Sequence, residues 1–286
     1  MRRLAALALA LTLAACGGDD GDDAPRPVDF GGDRPVGLQV PTDFDPGREY
    51  PLLIVLHGYG ASGGIQQGYF RLGDAATARQ RLILAPEGTL DPGGRQFWNA
   101  GPTCCDFGGV GVDDVGYLGG LIDDVRAAYP VARVELIGHS NGAFMAYRLA
   151  CERADVVAAI AGLAGHATTL PCTPSAPVSV LHLHGDADET VPYETGTFNG
   201  VTSPGAVDSI TGWATRNGCT GALAASGMKN VDGGQPGAEA IATAAGGCPT
   251  GGAAELWTIP GGTHIPPIDP GFPELVLGWF DANARP

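Results

Sequence analysis

Short, wholly apolar runs alternate along the chain with longer stretches whose apolar residues recur every three or four positions. Leu52-Leu53-Ile54-Val55-Leu56 is the plainest run. Five apolar residues with no polar break suit a parallel strand covered on both faces, since a half-exposed strand alternates instead. Runs of this kind place candidate strands at 36–40, 51–56, 82–85, 133–138, 156–161, 178–183 and 254–258. Candidate helices lie between them, near 66–80, 114–128, 141–151, 206–217 and 271–282. In the second, Val115, Leu118, Leu121, Ile122 and Val125 form one stripe, and Asp113 stands where an N-cap belongs. Strands separated by helices predict an α/β fold, a mostly parallel central sheet with helices on both faces. No internal repeat is visible.

Two stretches break the pattern. Residues 86–112 hold Trp98, the adjacent Cys104 and Cys105 and many glycines. Long irregular loops in folded domains usually carry function, so this one is a candidate part of the site. Residues 218–253 are rich in Gly and Ala and are expected to form a surface insert.

The first 15 residues read as a targeting segment. Arg2 and Arg3 precede an apolar stretch at 4–13 that is too short to span a bilayer. Leu13-Ala14-Ala15-Cys16 follows directly and resembles a bacterial lipobox, so Cys16 is the candidate lipidation site and the implied membrane anchor. Plain secretion after cleavage near Cys16 is the other reading. Residues 17–34 (GGDDGDDAPRPVDFGGDR) read as a flexible acidic tether, with a single folded domain over 35–286. The longest later apolar run, 156–164, has nine residues and does not predict a membrane span.

Composition narrows the function. A hydrophobic content of 44% and a charged content of 16% fit a folded globular chain and exclude a disordered one. The formal net charge is −15, with Lys229 as the single lysine, which argues against a nucleic-acid partner. Beyond Cys16 there are six cysteines, at 104, 105, 151, 172, 219 and 248. An even set in an exported chain predicts disulfides, although six cysteines allow 15 connectivities. Cys219–Cys248 is the first choice, because both flank sequence with little apolar content, and Cys151–Cys172 the second. Cys104 and Cys105 then form a bridge between neighbours or pair elsewhere. No C-x-x-C spacing supports a metal site, and no cofactor is expected.

The chemistry gathers around Gly138-His139-Ser140-Asn141-Gly142, a G-x-S-x-G pentapeptide. An apolar strand candidate precedes it and a helix candidate follows, which is the setting of a nucleophile elbow. A serine hydroxyl needs a base in reach and an acid to orient that base. His166, His182, His184 and His264 follow Ser140. His264 lies in the Gly- and Pro-rich loop Pro260-Gly261-Gly262-Thr263-His264-Ile265-Pro266-Pro267, after the last strand candidate, and is the expected base. His182 and His184 share one face of a strand and read as packing residues. His166 precedes every plausible acid and is the second candidate. Asp188, just past the strand 178–183, is the expected acid, whereas Asp186 reads as a former of the Gly185 turn. The oxyanion hole needs two backbone N–H groups, expected from Asn141 and, in the His57-Gly58-Tyr59-Gly60 loop, from Tyr59. His57 itself reads as a loop residue and His139 as packing.

These residues sit within a wider resemblance. The blocks Pro51-Leu52-Leu53-Ile54-Val55-Leu56-His57-Gly58, Trp98-Asn99-Ala100-Gly101 with Cys104-Cys105, and Gly111-Val112-Asp113-Asp114-Val115-Gly116-Tyr117-Leu118 resemble the polyhydroxybutyrate depolymerase-like α/β-hydrolases. So do the pentapeptide, His184-Gly185 with Asp188 and Val191-Pro192-Tyr193, and Gly262-Thr263-His264. That group is related to the feruloyl and acetyl-xylan esterases. The resemblance runs over about residues 35–283 and implies nucleophile Ser140, acid Asp188 and base His264. Tyr59 is a departure, since relatives often carry Cys there.

The expected activity is that of an exported serine ester hydrolase working through an acyl-enzyme on bulky or polymer-derived esters, of the hydroxybutyrate oligoester type. A feruloyl or acetyl-xylan esterase with the same three residues is the alternative. A ligand-binding lipoprotein and an acyltransferase are the remaining readings. Trp98 and Tyr193 are the candidate walls for the substrate.

Overall fold

In the computed structural model, which describes residues 26–285, the apolar run at 52–56 belongs to strand β1 (Tyr50–Leu56) inside an eight-stranded sheet. The other strands are β2 (Leu82–Leu84), β3 (Val131–His139), β4 (Val157–Leu163), β5 (Ser179–Gly185), β6 (Leu223–Lys229), β7 (Ala240–Ala245) and β8 (Ala254–Ile259). Their spatial order is β6-β7-β8-β5-β4-β3-β1-β2. From β8 to β2 every neighbour is parallel, while β6 and β7 join antiparallel at one edge.

The helices are α1 (Gly63–Tyr69), α2 (Leu72–Ala78), α3 (Asp114–Ala128), α4 (Asn141–Glu152), α5 (Ala206–Asn217) and α6 (Phe272–Asn283). Alternation along β1 shows why its run has no polar break. Leu52, Ile54 and Leu56 join the core beneath α3, α4 and α5, whereas Leu53 and Val55 join a second core with Phe70, α2 and α6. All five are fully buried, each worth roughly 1.5–3 kcal/mol in water-excluded area. Asp113 caps α3 through its carboxylate, which accepts from the Gly116 N–H.

Parallel strands share one carboxyl edge. The segments leaving β1, β3, β5 and β8 therefore emerge together, which is where an open α/β sheet forms its sites. At the opposite end the Arg81 guanidinium and the Glu135 carboxylate, both buried, meet at 2.7 Å, and Asp281 of α6 joins them.

Several expectations are corrected. The helix read at 66–80 is two helices, because Arg71 takes a left-handed backbone (φ 56) between α1 and α2. Residues 218–253 do lie largely at the surface, but as ordered strands of the main sheet. They supply β6 and β7, whose ladder rests on backbone hydrogen bonds and so needs no apolar pattern. The strand read at 36–40 shrinks to Val36–Gly37, paired with Asp29–Phe30 outside the main sheet. That pairing also shortens the tether: Phe30 is buried, and Arg34 meets Asp114 at 2.7 Å. The targeting segment and Cys16 lie outside the described residues. Three disulfides are present, Cys104–Cys105, Cys151–Cys172 and Cys219–Cys248. No described helix is long and apolar enough to cross a membrane.

Candidate active site

Ser140 stands between the end of β3 and the start of α4 with φ 54 and ψ −120, a conformation disfavoured for an L-residue. The turn is possible because the residues two places to either side, Gly138 and Gly142, carry no side chains. A Cβ on Gly138 would collide with the Gly142 carbonyl, and one on Gly142 with the Leu56 carbonyl. The serine thereby stands at the N-terminus of a twelve-residue helix, whose dipole favours negative charge there.

Three of the expected residues meet. Ser140 Oγ lies 2.9 Å from His264 Nε2, and His264 Nδ1 lies 2.7 Å from Asp188 Oδ2. A carboxylate only accepts, so Nδ1 carries the proton and Nε2 is left to accept from the serine hydroxyl. The other Asp188 oxygen accepts from the Thr190 and Val191 N–H groups at 2.8 and 2.9 Å. Burial alone would raise the Asp188 pKa. Hydrogen bonds from His184, His264 and Val191 outweigh it and hold the carboxyl below the ordinary range.

The His264 loop is laced to its neighbours. The Ala187 N–H donates to the Gly262 carbonyl, and the Gly261 N–H to Asp186 Oδ1, so Asp186 is a clamp on the loop. Tyr69 donates to the Pro266 carbonyl at 2.8 Å. His139 Nε2 donates to the His264 carbonyl at 2.9 Å. Burial pulls the His139 pKa down to about 4, so that ring is neutral.

His57 is structural, as its place in the chain suggested. Its Nδ1 donates to the Gly58 carbonyl, and its Nε2 accepts from the Gly88 N–H. Gln66 Oε1 accepts from the Gly58 N–H at 3.2 Å and steadies the same loop. Among the described residues, neither the Tyr59 nor the Asn141 N–H donates to a protein acceptor. The Asn141 side chain, which the sequence reading did not use, bonds both backbone groups of Trp98: its oxygen accepts from Trp98 N–H at 2.7 Å and its nitrogen donates to Trp98 O at 2.8 Å. It thus ties the 86–112 loop to the elbow.

Neither Trp98 nor Tyr193, the candidate substrate walls, lines the cleft over Ser140. Trp98 is fully buried, donates from its indole to the His57 carbonyl and packs in the core. Tyr193 bonds Thr258 and lies edge-on to His184. The cleft over Ser140, about 470 Å³, is instead lined by Tyr59, Ile65, Gln66, Tyr69, Thr190 and Ile265, with His264. Ile65 and Ile265 are widely exposed, at 67% and 62%. Only their exposure in three dimensions marks them, because one isoleucine in a short helix and one in a loop carry no periodic signal.

No protein-family model matches the chain. Among curated proteins it is similar to feruloyl esterase B of Piromyces equi, 30% identical over 200 residues, covering 66% of this chain and 36% of that protein. It is also similar to the bifunctional acetylxylan esterase/xylanase XynS20E of Neocallimastix patriciarum, 25% identical over 57% of this chain and 23% of that protein. The chain spans well under half the length of these relatives. Among solved structures, an acetyl xylan esterase from Aspergillus awamori superposes with a TM-score of 0.60 at 13% identity, covering 86% of this chain and 93% of that one. Esterase PE8 superposes at 0.52 and 17% identity, over 87% and 98%. The chain has the α/β-hydrolase fold. In that fold the strand–elbow–helix at 131–152 and the loops after β5 and β8 are the positions that carry Ser140, Asp188 and His264.

Proposed function

We propose that the protein is an exported carboxylic ester hydrolase with Ser140 as nucleophile, His264 as general base and acid, and Asp188 as the group that orients His264. The observation that carries the reading is the continuous series Asp188–His264–Ser140, at 2.7 and 2.9 Å, on the carboxyl edge of the sheet. His264 Nε2 takes the proton as Ser140 Oγ attacks the ester carbonyl. The tetrahedral oxyanion rests on the Asn141 and Tyr59 N–H groups, beside the positive end of α4. His264 then protonates the departing alcohol, and water, activated by the same ring, releases the acid from the acyl-enzyme. Export agrees with three disulfides, which persist in oxidising compartments. Lipidation at Cys16 belongs to the same proposal.

The substrate is a bulky ester. The cleft has apolar walls and exposed isoleucines at its mouth, which suit oligomers of a hydroxyalkanoate. Feruloylated or acetylated polysaccharide is the second reading, favoured by the names of the curated relatives. A side-by-side panel of hydroxybutyrate oligomer, methyl ferulate and acetylated xylan separates the two. Ser140→Ala is expected to remove turnover of any of them by roughly 10³-fold or more. Undiminished turnover in that variant sinks the assignment.

A further inference from the structure

Next to Asp188 runs a buried series of hydrogen bonds. Tyr147 Oη of α4 lies 2.7 Å from His182 Nδ1, and His182 Nε2 lies 3.1 Å from His184 Nδ1. His184 Nε2 then lies 2.9 Å from the Val191 carbonyl and 3.3 Å from Asp188 Oδ2, the oxygen that also receives His264. His182 and His184 are both fully buried.

The proton positions along the series follow from its end. A carbonyl and a carboxylate only accept, so His184 Nε2 carries a proton. The Tyr147 hydroxyl has no other acceptor among the described residues, so it donates to His182 Nδ1; a neutral His182 then carries its proton on Nε2, and His184 Nδ1 accepts. Burial holds the His182 pKa well below its ordinary value and raises that of Tyr147, which keeps both neutral. The His184 ring cannot turn away freely. His166 lies across one face at 5.6 Å, and Tyr193 stands edge-on at 5.6 Å.

We propose that His184 is a positioning residue for the hydrolytic site: its Nε2–H, donated to the Val191 carbonyl and 3.3 Å from Asp188 Oδ2, holds the 188–191 turn that keeps Asp188 under His264, and Tyr147 and His182 enforce the tautomer that makes this possible. The proposal rests on the reading of Ser140, His264 and Asp188 given above. Its physical content is that Oδ1 has two backbone donors, Oδ2 has His264, and the His184 Nε2–H ties down the Val191 end of the same turn beside Oδ2. Removing one donor frees the carboxylate to turn, and a base misplaced by about 1 Å loses on the order of 10²-fold in rate.

The test compares His184→Gln, His184→Leu and Tyr147→Phe in the full chain. A Gln amide nitrogen reaches the place of Nε2, so His184→Gln keeps the donor, whereas Leu removes it. His184→Leu is expected to lower kcat by ~10-fold or more with KM changed less than about twofold. His184→Gln is expected to keep kcat within about threefold. Proton NMR supplies a readout that needs no substrate: the downfield resonance of the His264 Nδ1 proton shifts or broadens in His184→Leu and persists in His184→Gln. A folded His184→Leu with the wild-type kcat and resonance overturns the proposal. So does a His184→Gln that falls as far as His184→Leu. If the leucine variant does not fold, Tyr147→Phe decides, with a several-fold loss of kcat and a shifted resonance expected and wild-type behaviour overturning it. If the wild-type protein turns over no ester, the hydrolase reading fails, and the resonance still reports on the positioning.

Discussion

Ser140 holds a backbone conformation that costs on the order of 1–3 kcal/mol for a residue with a Cβ. Glycine does not meet that cost. Ser140→Gly is therefore expected to raise the thermal midpoint while leaving no hydrolysis. A midpoint lower than that of wild type would show that the hydroxyl contributes more than the backbone loses. Asp188→Asn tests the other end of the series. An amide can present its NH₂ to His264, reverse the imidazole tautomer and leave Nε2 protonated towards Ser140. The expected fall in kcat is roughly 10³-fold or more, with the folded structure intact by circular dichroism. These three residues were legible because each depends on local sequence: two glycines around a serine, an acid past a strand, a histidine in a shaped loop. Trp98 faces the core and not the cleft, which an aromatic side chain in a loop gives no sign of in the sequence. His184 was read as packing from its alternation with His182. The alternation was right, and its bond to the Val191 carbonyl beside Asp188 was invisible without the 185–191 turn.

At the scale of elements, the elbow depends on how closely β1, β3 and α4 approach. Gly142→Ala forces a Cβ onto the Leu56 carbonyl, which only a shift of α4 or β1 can relieve. A loss of several kcal/mol, or no soluble protein, is expected in chemical denaturation, consistent with the cost of overpacking a rigid interior. Arg81 and Glu135 fasten β3 to α6 at the far end of the same strand. Glu135→Ala leaves the buried guanidinium with Asp281 and the Leu277 carbonyl alone and is expected to cost about 1.5–3 kcal/mol. The strongly periodic helices at 114–128, 206–217 and 271–282 stand within a residue of where the sequence placed them. The strands β6 and β7 escaped notice for a physical reason. Their burial is partial and their side chains are mostly Ala, Gly, Ser and Thr, so the backbone, which every sequence shares, does the pairing.

For the whole molecule, buried histidines set the response to acid. His139 and His166 have pKa values pulled down to about 4 by burial, against an ordinary 6.5. Between those values the unfolded chain binds more protons than the folded one. Stability is therefore full above about pH 6.5 and falls as pH drops towards 4, by up to ~1.4 kcal/mol per pH unit for each histidine. Asp188, depressed from 3.8, continues the loss below that. Thermal unfolding from pH 7.5 to 4.5 should show this decline, and a flat profile would contradict it. The sheet also ends in the open. Strand β6 is largely exposed, and its register slips between Ala225 and Gly227, where Gly227 takes φ 137. The break turns the outer row of amide groups out of line, so an incoming strand meets no straight ladder to extend. An edge of small residues, which would otherwise invite one molecule to zip onto the next, is made a poor template by a single glycine.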